Sequence, residues 1–370
     1  MPKQVSAVES ISPAFARTRK MLFHPFRFGL WARLAVVSLV TGEVGGGGGG
    51  SSFWNFNSGQ GGGQRWSAVA CLFSDSGWEQ TQPYIGWLAL CAGLALALLL
   101  LWIYSDCVYR FILLDSVLTG QCRLREGWRR WREAGRRYLL WVIAFGFSAL
   151  GLIGIVVGVP LLLAFRAGWF EKSEDHFGAL LGGGMLLALV VIVLIVVLAT
   201  IDLLARDFLV PVMALESVGA MDGWRRLGAM LGEEKLAYAG YVLIKIVLAV
   251  GGAIIFTIIN IIVILVAMIP LVVLGIAGFF VGKGAGFTWD VSAVLLIAAF
   301  ALLAIAGILY VMGFVYAPGL VFFQSYALEF FASRYRPLAN RMCPSAPPAT
   351  PPIAPLAPLE PLLPPEPSAA

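Results

Sequence analysis

Long apolar runs along the chain alternate with short polar segments rich in arginine. The apolar runs cover roughly Phe28–Val44, Tyr84–Asp106, residues 138–165, residues 178–201, residues 239–282 and residues 291–317. Most exceed the roughly 18 residues that mark a bilayer-spanning helix; the first, at about 17, sits at the lower limit, with a re-entrant segment as its alternative. The run from Ala239 to Gly282 would reach about 66 Å as one helix, too long for a single crossing. Pro270 is expected to divide it into a full span and a shorter bent or re-entrant segment. The pattern predicts an all-α, polytopic bundle of about six transmembrane helices.

Composition narrows the class further. Hydrophobic residues make up 59% of the 370 residues and charged residues 13%, with a mean hydropathy of +0.86. Two soluble domains are excluded, and a transmembrane β-barrel would show alternating segments of about ten residues instead. The net charge of +5 does not point to nucleic acid, because no soluble domain is large enough to carry a basic face. Five scattered cysteines without a C-x-x-C give neither a disulfide framework nor a zinc site.

The ends and the first loop differ from the apolar body. Residues 1–27 form a basic segment in which Phe15, Leu22 and Phe26 share a helical face, as in a helix lying at the interface. The first apolar run starts only near Phe28, is interrupted by Arg33 and lacks an A-x-A-like exit, so no cleavable signal is expected. Residues 45–66 are a Gly-rich loop with interfacial aromatics; without G-K-[ST] after a strand they are no phosphate cradle. From residue 337 the chain becomes a Pro-rich disordered tail, with a proline every third residue from Pro352 to Pro367, the period of polyproline II. Such a tail is either a semi-rigid spacer or the ligand of a protein partner.

Within the transmembrane domain, residues 28–336, one unit occurs twice. Asp106, Arg110 and Glu126-Gly127-Trp128-Arg129-Arg130 match Asp202, Arg206 and Asp222-Gly223-Trp224-Arg225-Arg226 at a constant offset of 96 residues. The repeat units, 106–130 and 202–226, each follow one apolar run and precede the next. The offset contains two spans, so the duplication is parallel, unlike the inverted repeats of many transporters.

Charge orients the bundle. With six spans, 21 of the 26 Lys and Arg fall on one side and four on the other, leaving Lys245 within a span. The positive-inside rule then makes both termini and both repeat units cytoplasmic.

Each repeat unit offers two kinds of chemistry. Leu124, Trp128, Trp131 and Tyr138 share one helical face, surrounded by seven arginines, and Met221, Trp224, Leu227 and Leu231 repeat the arrangement. This predicts cytoplasmic interfacial amphipathic helices, whose Trp128, Arg129, Arg130, Trp224, Arg225 and Arg226, with Arg110 and Arg206, engage anionic lipid headgroups. The arginines also enforce topology, and the two roles are compatible. The pairs Asp106/Arg110 and Asp202/Arg206 stand at i, i+4 in the order that favours a helix ion pair at the membrane edge. They read either as structural locks or as a gate formed where the pairs face each other. Lys245 and Asn260 are the polar residues at depth; Lys245 can snorkel toward the cytoplasm and Asn260 can hydrogen-bond across helices.

Neither a catalytic constellation nor a metal or cofactor site is legible: His24 and His176 fall on opposite sides, and H-E-x-x-H and G-x-S-x-G are absent. The expectation is a protein without enzymatic activity whose partners are membrane lipids. A small-molecule or ion path near Lys245 and Asn260 is the alternative.

The D-x-x-x-R and G-W-R-R units, the start Phe23-His24-Pro25-Phe26 and the Gly-rich first loop together resemble a family of uncharacterised bacterial multi-span membrane proteins. That family is distantly similar to the membrane domain attached to some glycerophosphodiester phosphodiesterases. The resemblance covers roughly residues 11–336. It implies a bacterial inner-membrane location and transfers no catalytic residue, since the catalytic barrel has no counterpart.

Overall fold

The computed structural model describes residues 6–24, 26–41, 85–168, 177–284 and 291–342. The Gly-rich loop 45–66 and the tail from residue 343 lie outside the described residues, as do most of the expected polar break after Arg166 and the Lys283–Gly286 turn beyond Gly284; residues 337–342, expected to open the disordered tail, are instead helical. All regular structure among the described residues is helical: α1 (Ile11–Phe23), α2 (Phe28–Val40), α3 (Ile85–Thr119), α4 (Leu124–Arg166), α5 (Phe177–Leu204), a π-helical turn (Ala205–Leu209), α6 (Val210–Glu216), α7 (Ala220–Glu233), α8 (Lys235–Gly284), α9 (Val291–Ala332) and α10 (Arg336–Met342).

Five helical stretches, built on α3, α4, α5–α6, α8 and α9, are long and apolar enough to cross a membrane. Helix α2 is shorter, with 13 residues or about 20 Å of rise, against a hydrocarbon core of about 30 Å. In the most apolar window of each long helix, at most 11% of residues are buried. Leu, Ile and Val therefore face outward around nearly the whole circumference, the surface expected in hydrocarbon.

The buried core lies at one end, where the arginine-rich segments meet. Helices α3, α5 and α9 enter this basic end by their C-termini, whereas α4 and α8 leave it by their N-termini. Helices α1 and α2 line its side against α9. Contact there is close because Gly313 carries no side chain: a Cβ would stand 2.7 Å from the Ala35 carbonyl. Ser38 donates to the Gly313 carbonyl at 3.0 Å, and Arg17 pairs with Glu329 at 2.9 Å. The α3–α4 hairpin closes on Gly135, where a Cβ would meet the Val108 side chain at 2.5 Å. Its turn uses Gly120, at φ +69°, as a left-handed helix stop.

Several sequence expectations change here. Helix α8 runs unbroken through Pro270, so residues 239–282 are not divided there into a full span and a separate re-entrant segment. The hydrogen bond lost at the proline is a local defect in a helix of 50 residues. Helix α9 likewise passes through Pro318 and absorbs the aromatic stretch beyond 317. Helix α1 buries Ala14, Thr18 and Leu22 against the bundle, so of the expected interfacial face Leu22 turns inward while Phe15, and Phe26 beyond the helix end, stay exposed. The first Trp-Arg-Arg unit is no separate interfacial helix but the start of α4; only the second, α7, is a helix of its own.

Candidate functional site

The D-x-x-x-R elements lie inside helices, before the turns rather than on them. Arg110 donates through Nε and an Nη to both oxygens of Asp106, at 3.1 and 3.0 Å, and Arg206 meets Asp202 at 2.6 Å. Neither pair sits in open water: Arg110 is 8% exposed, and both arginines line one cavity of about 30 Å³ at the basic end. Space of that size admits one or two waters.

The second copy departs from the first at one step. Pro211 stands where the first copy has Asp115. Its ring cannot donate to the carbonyl of Asp207 and crowds it, so the helix widens into the π turn, closed by the Val210 N–H on the Ala205 carbonyl. The turn takes up one extra residue, and the left-handed stop falls at Ser217 rather than at the position matching Gly120. A shorter loop restores the register, so α7 starts 96 residues after α4.

Asp207 lies within that turn. Its carboxylate oxygen accepts from Lys245 Nζ at 2.5 Å and from the Tyr241 hydroxyl at 2.9 Å. All three residues are buried, and the Tyr241 ring is packed against Phe208, Tyr326 and Phe330 at centroid distances of 5.0, 5.1 and 4.6 Å. At the offset of the repeat, the first copy carries Phe111, Phe145 and Ala149 in place of Asp207, Tyr241 and Lys245. Asp207 and Lys245 line the same cavity as Arg110 and Arg206, together with Thr41 and Gln324. Three cations, Arg110, Arg206 and Lys245, are thus balanced by Asp106, Asp202 and Asp207.

Lys245 therefore does not snorkel; its ammonium is held inward by a carboxylate that sequence reasoning did not single out. Asn260 donates to the Tyr316 hydroxyl across α8 and α9, while its own carbonyl oxygen is buried without a partner among the described residues. It lies 15 positions beyond Lys245, about 22 Å along α8.

The tryptophans turn inward. Trp128 is edge-on to Tyr104 and Tyr109, Trp131 stacks on Phe111, and Trp224 meets Trp141, joining α7 to α4 at 5.7 Å. The Trp131 and Trp224 indole nitrogens are buried, unlike those of an interfacial belt, which reach water. The glycines before the Trp-Arg-Arg runs explain this packing: a Cβ on Gly127 would touch Ile112 at 3.0 Å, and one on Gly223 would touch Leu209 at 2.6 Å.

The arginines face out. Arg125, Arg129, Arg130, Arg132 and Arg225 are exposed, and among the described residues no carboxylate pairs with any of them. Arg130 lies over the Trp131 ring at 5.0 Å. Arg226 pairs with Glu216, which also accepts from Tyr335. Among the described residues no group of three or more His, Cys, Asp or Glu is placed to hold a metal ion.

An all-helical body with five apolar helices of spanning length and a compact basic end defines a polytopic helical membrane protein. Within that class, the chain belongs to a family of unknown function (DUF7544), whose model matches residues 5–340. No curated protein and no solved structure matches the chain.

Proposed function

We propose that this is a non-enzymatic integral membrane protein of the bacterial inner membrane. Its basic end is cytoplasmic and holds anionic lipid headgroups against the exposed arginines of α4 and α7, organising lipids or scaffolding a partner. The observation that carries the reading is the set of outward guanidinium groups, Arg125, Arg129, Arg130, Arg132 and Arg225, without carboxylate partners among the described residues. Each basic residue near an anionic surface contributes about 1 kcal/mol. The inward tryptophans fix the helices that present these groups and do not themselves form the contact. Exposed Phe15, Phe23 and Phe26 beside Arg19 and Lys20 at α1 supply an apolar and basic edge of the kind that interfacial segments use.

The test is lipid-retaining native mass spectrometry of the wild type and an Arg129→Ala/Arg130→Ala/Arg225→Ala variant. The wild type should hold more phosphatidylglycerol than the variant; equal retention sinks the reading. The distant likeness to the membrane domain of glycerophosphodiester phosphodiesterases belongs to this proposal only as a lipid setting and adds no catalytic residue. A second reading, an ion or small-molecule path near Lys245 and Asn260, is favoured by the cavity at Arg110, Arg206, Asp207 and Lys245, since ionisable groups within spanning helices commonly mark pathways. Flux into liposomes that is lost in Asp207→Leu/Lys245→Met/Tyr241→Phe, which removes the whole polar set without stranding a charge, would support it over the first.

A further inference from the structure

An open apolar groove of about 660 Å³ lies between α5, α7 and α8. Its walls include Leu204 of α5, Gly228 and Gly232 of α7, and Val242 and Ile246 of α8, and Lys235 at the first position of α8 is its charged lining residue. The volume lies within the range of pockets that bury a small ligand, about 300–1,000 Å³. We infer that this groove holds one acyl chain of an anionic phospholipid, with the lipid phosphate at Lys235; the inference rests on the membrane setting of the reading above.

Three observations select this occupant. First, the groove walls run on into outward apolar faces: Val196 and Val197 on α5 and Val247 and Val250 on α8 are exposed, so hydrocarbon is the medium that meets the opening. Second, Lys235 to Ile246 spans about 16 Å of helix, close to one leaflet's share, about 15 Å, of the hydrocarbon core. A chain lying along the groove thus brings its headgroup to the end where Lys235 is exposed. Third, the charge is complementary: exposed Lys235 places an ammonium at the end of the groove, where it pairs with a phosphate. The neighbouring Glu234 is held by Arg334 at 2.7 Å, leaving Glu233 as the next acid along the chain.

The glycines make the groove testable. A Cβ on Gly228 or Gly232 meets nothing within 4 Å, so larger side chains there enter open space rather than a neighbour. Leu is also a better helix former than Gly, so Gly228→Leu/Gly232→Leu should fill the groove without unfolding α7.

The experiment uses the full chain in detergent with a phosphatidylglycerol that carries a photoreactive group on one acyl chain, followed by mapping of the labelled residues. Labelling is expected to concentrate on Leu204, Val242 and Ile246 and to fall at least ten-fold in the double leucine variant, with its melting temperature unchanged or raised. Lys235→Gln should lower labelling several-fold. If the leucine variant fails to fold, Val242→Trp fills the same space from α8 and is read in the same way. Labelling spread evenly over the outer faces of α5 and α8 and indifferent to these substitutions would overturn the inference, the lipid then being only the surrounding bilayer. Complete protection by inorganic phosphate alone would also overturn it, by assigning Lys235 to a free anion. The Arg129→Ala/Arg130→Ala/Arg225→Ala variant should label the groove like the wild type, so failure of the arginine surface and failure of the groove are read separately.

Discussion

Lys245 Nζ and Asp207 Oδ2 meet at 2.5 Å across 38 residues of sequence, and the Tyr241 hydroxyl shares the same oxygen. Both charged side chains are about 5% exposed, so removing one partner leaves the other charge stranded. Asp207→Asn or Lys245→Met should each destabilise the protein by about 3–5 kcal/mol. The triple substitution Asp207→Leu/Lys245→Met/Tyr241→Phe removes the whole polar set and should recover most of that loss. Tyr241→Phe is needed because an orphaned buried hydroxyl costs about 1–3 kcal/mol. At the constant sequence offset of 96 the first repeat carries Phe111, Phe145 and Ala149, a set without charge. Thermal unfolding in detergent reads all three variants; a triple variant no more stable than Asp207→Asn would contradict the account.

The closest helix approach predicts a contrast between glycines. Gly135→Ala places a methyl group within 2.5 Å of Val108 and should cost about 1–3 kcal/mol through forced repacking. Gly151→Ala, on the same helix with nothing within 4 Å, should be neutral or stabilising. The two melting temperatures, measured side by side, separate close packing from a general preference for glycine in α4.

The α3–α4 turn predicts a pH effect. Burial pushes the Cys122 thiol above its ordinary value, against smaller opposing influences from Ser116 and Arg33. A thiol whose folded pKa is raised contributes stability fully present below its unfolded value, about 8.5, and lost as pH rises through the higher folded value. Stability should therefore fall more steeply above about pH 8.5 in the wild type than in Cys122→Ala. Maleimide labelling of Cys122 should also lag behind that of an exposed thiol at the same pH.

Much of the architecture was legible because bilayer helices declare themselves by length and hydropathy: the long runs became α3, α4, α5, α8 and α9. The internal repeat was visible as well, since Asp106/Arg110 and Asp202/Arg206 need only helical spacing to pair. What sequence reasoning missed depended on partners far along the chain. Lys245 looked free to snorkel because Asp207 stands 38 residues earlier, and nothing local links them. The available signal was Pro211, whose ring four residues after Asp207 marks a disturbed helix. The tryptophan face was read as interfacial because an amphipathic stripe looks alike against lipid or protein; Gly127 and Gly223, which let those helices press inward, were the discriminating residues. Pro270 was expected to interrupt α8, but one missing hydrogen bond did not outweigh the apolar helix around it.

The central claim is that the outward arginines of α4 and α7 hold anionic lipid electrostatically. Its most direct test is the affinity of a fluorescent phosphatidylglycerol for the detergent-purified chain across a salt series, in the wild type and Arg129→Ala/Arg130→Ala/Arg225→Ala. Three basic residues at about 1 kcal/mol each predict roughly a hundred-fold weaker binding in the variant at low salt. The difference should shrink as salt screens the wild type. Equal affinities at every salt concentration would contradict the claim.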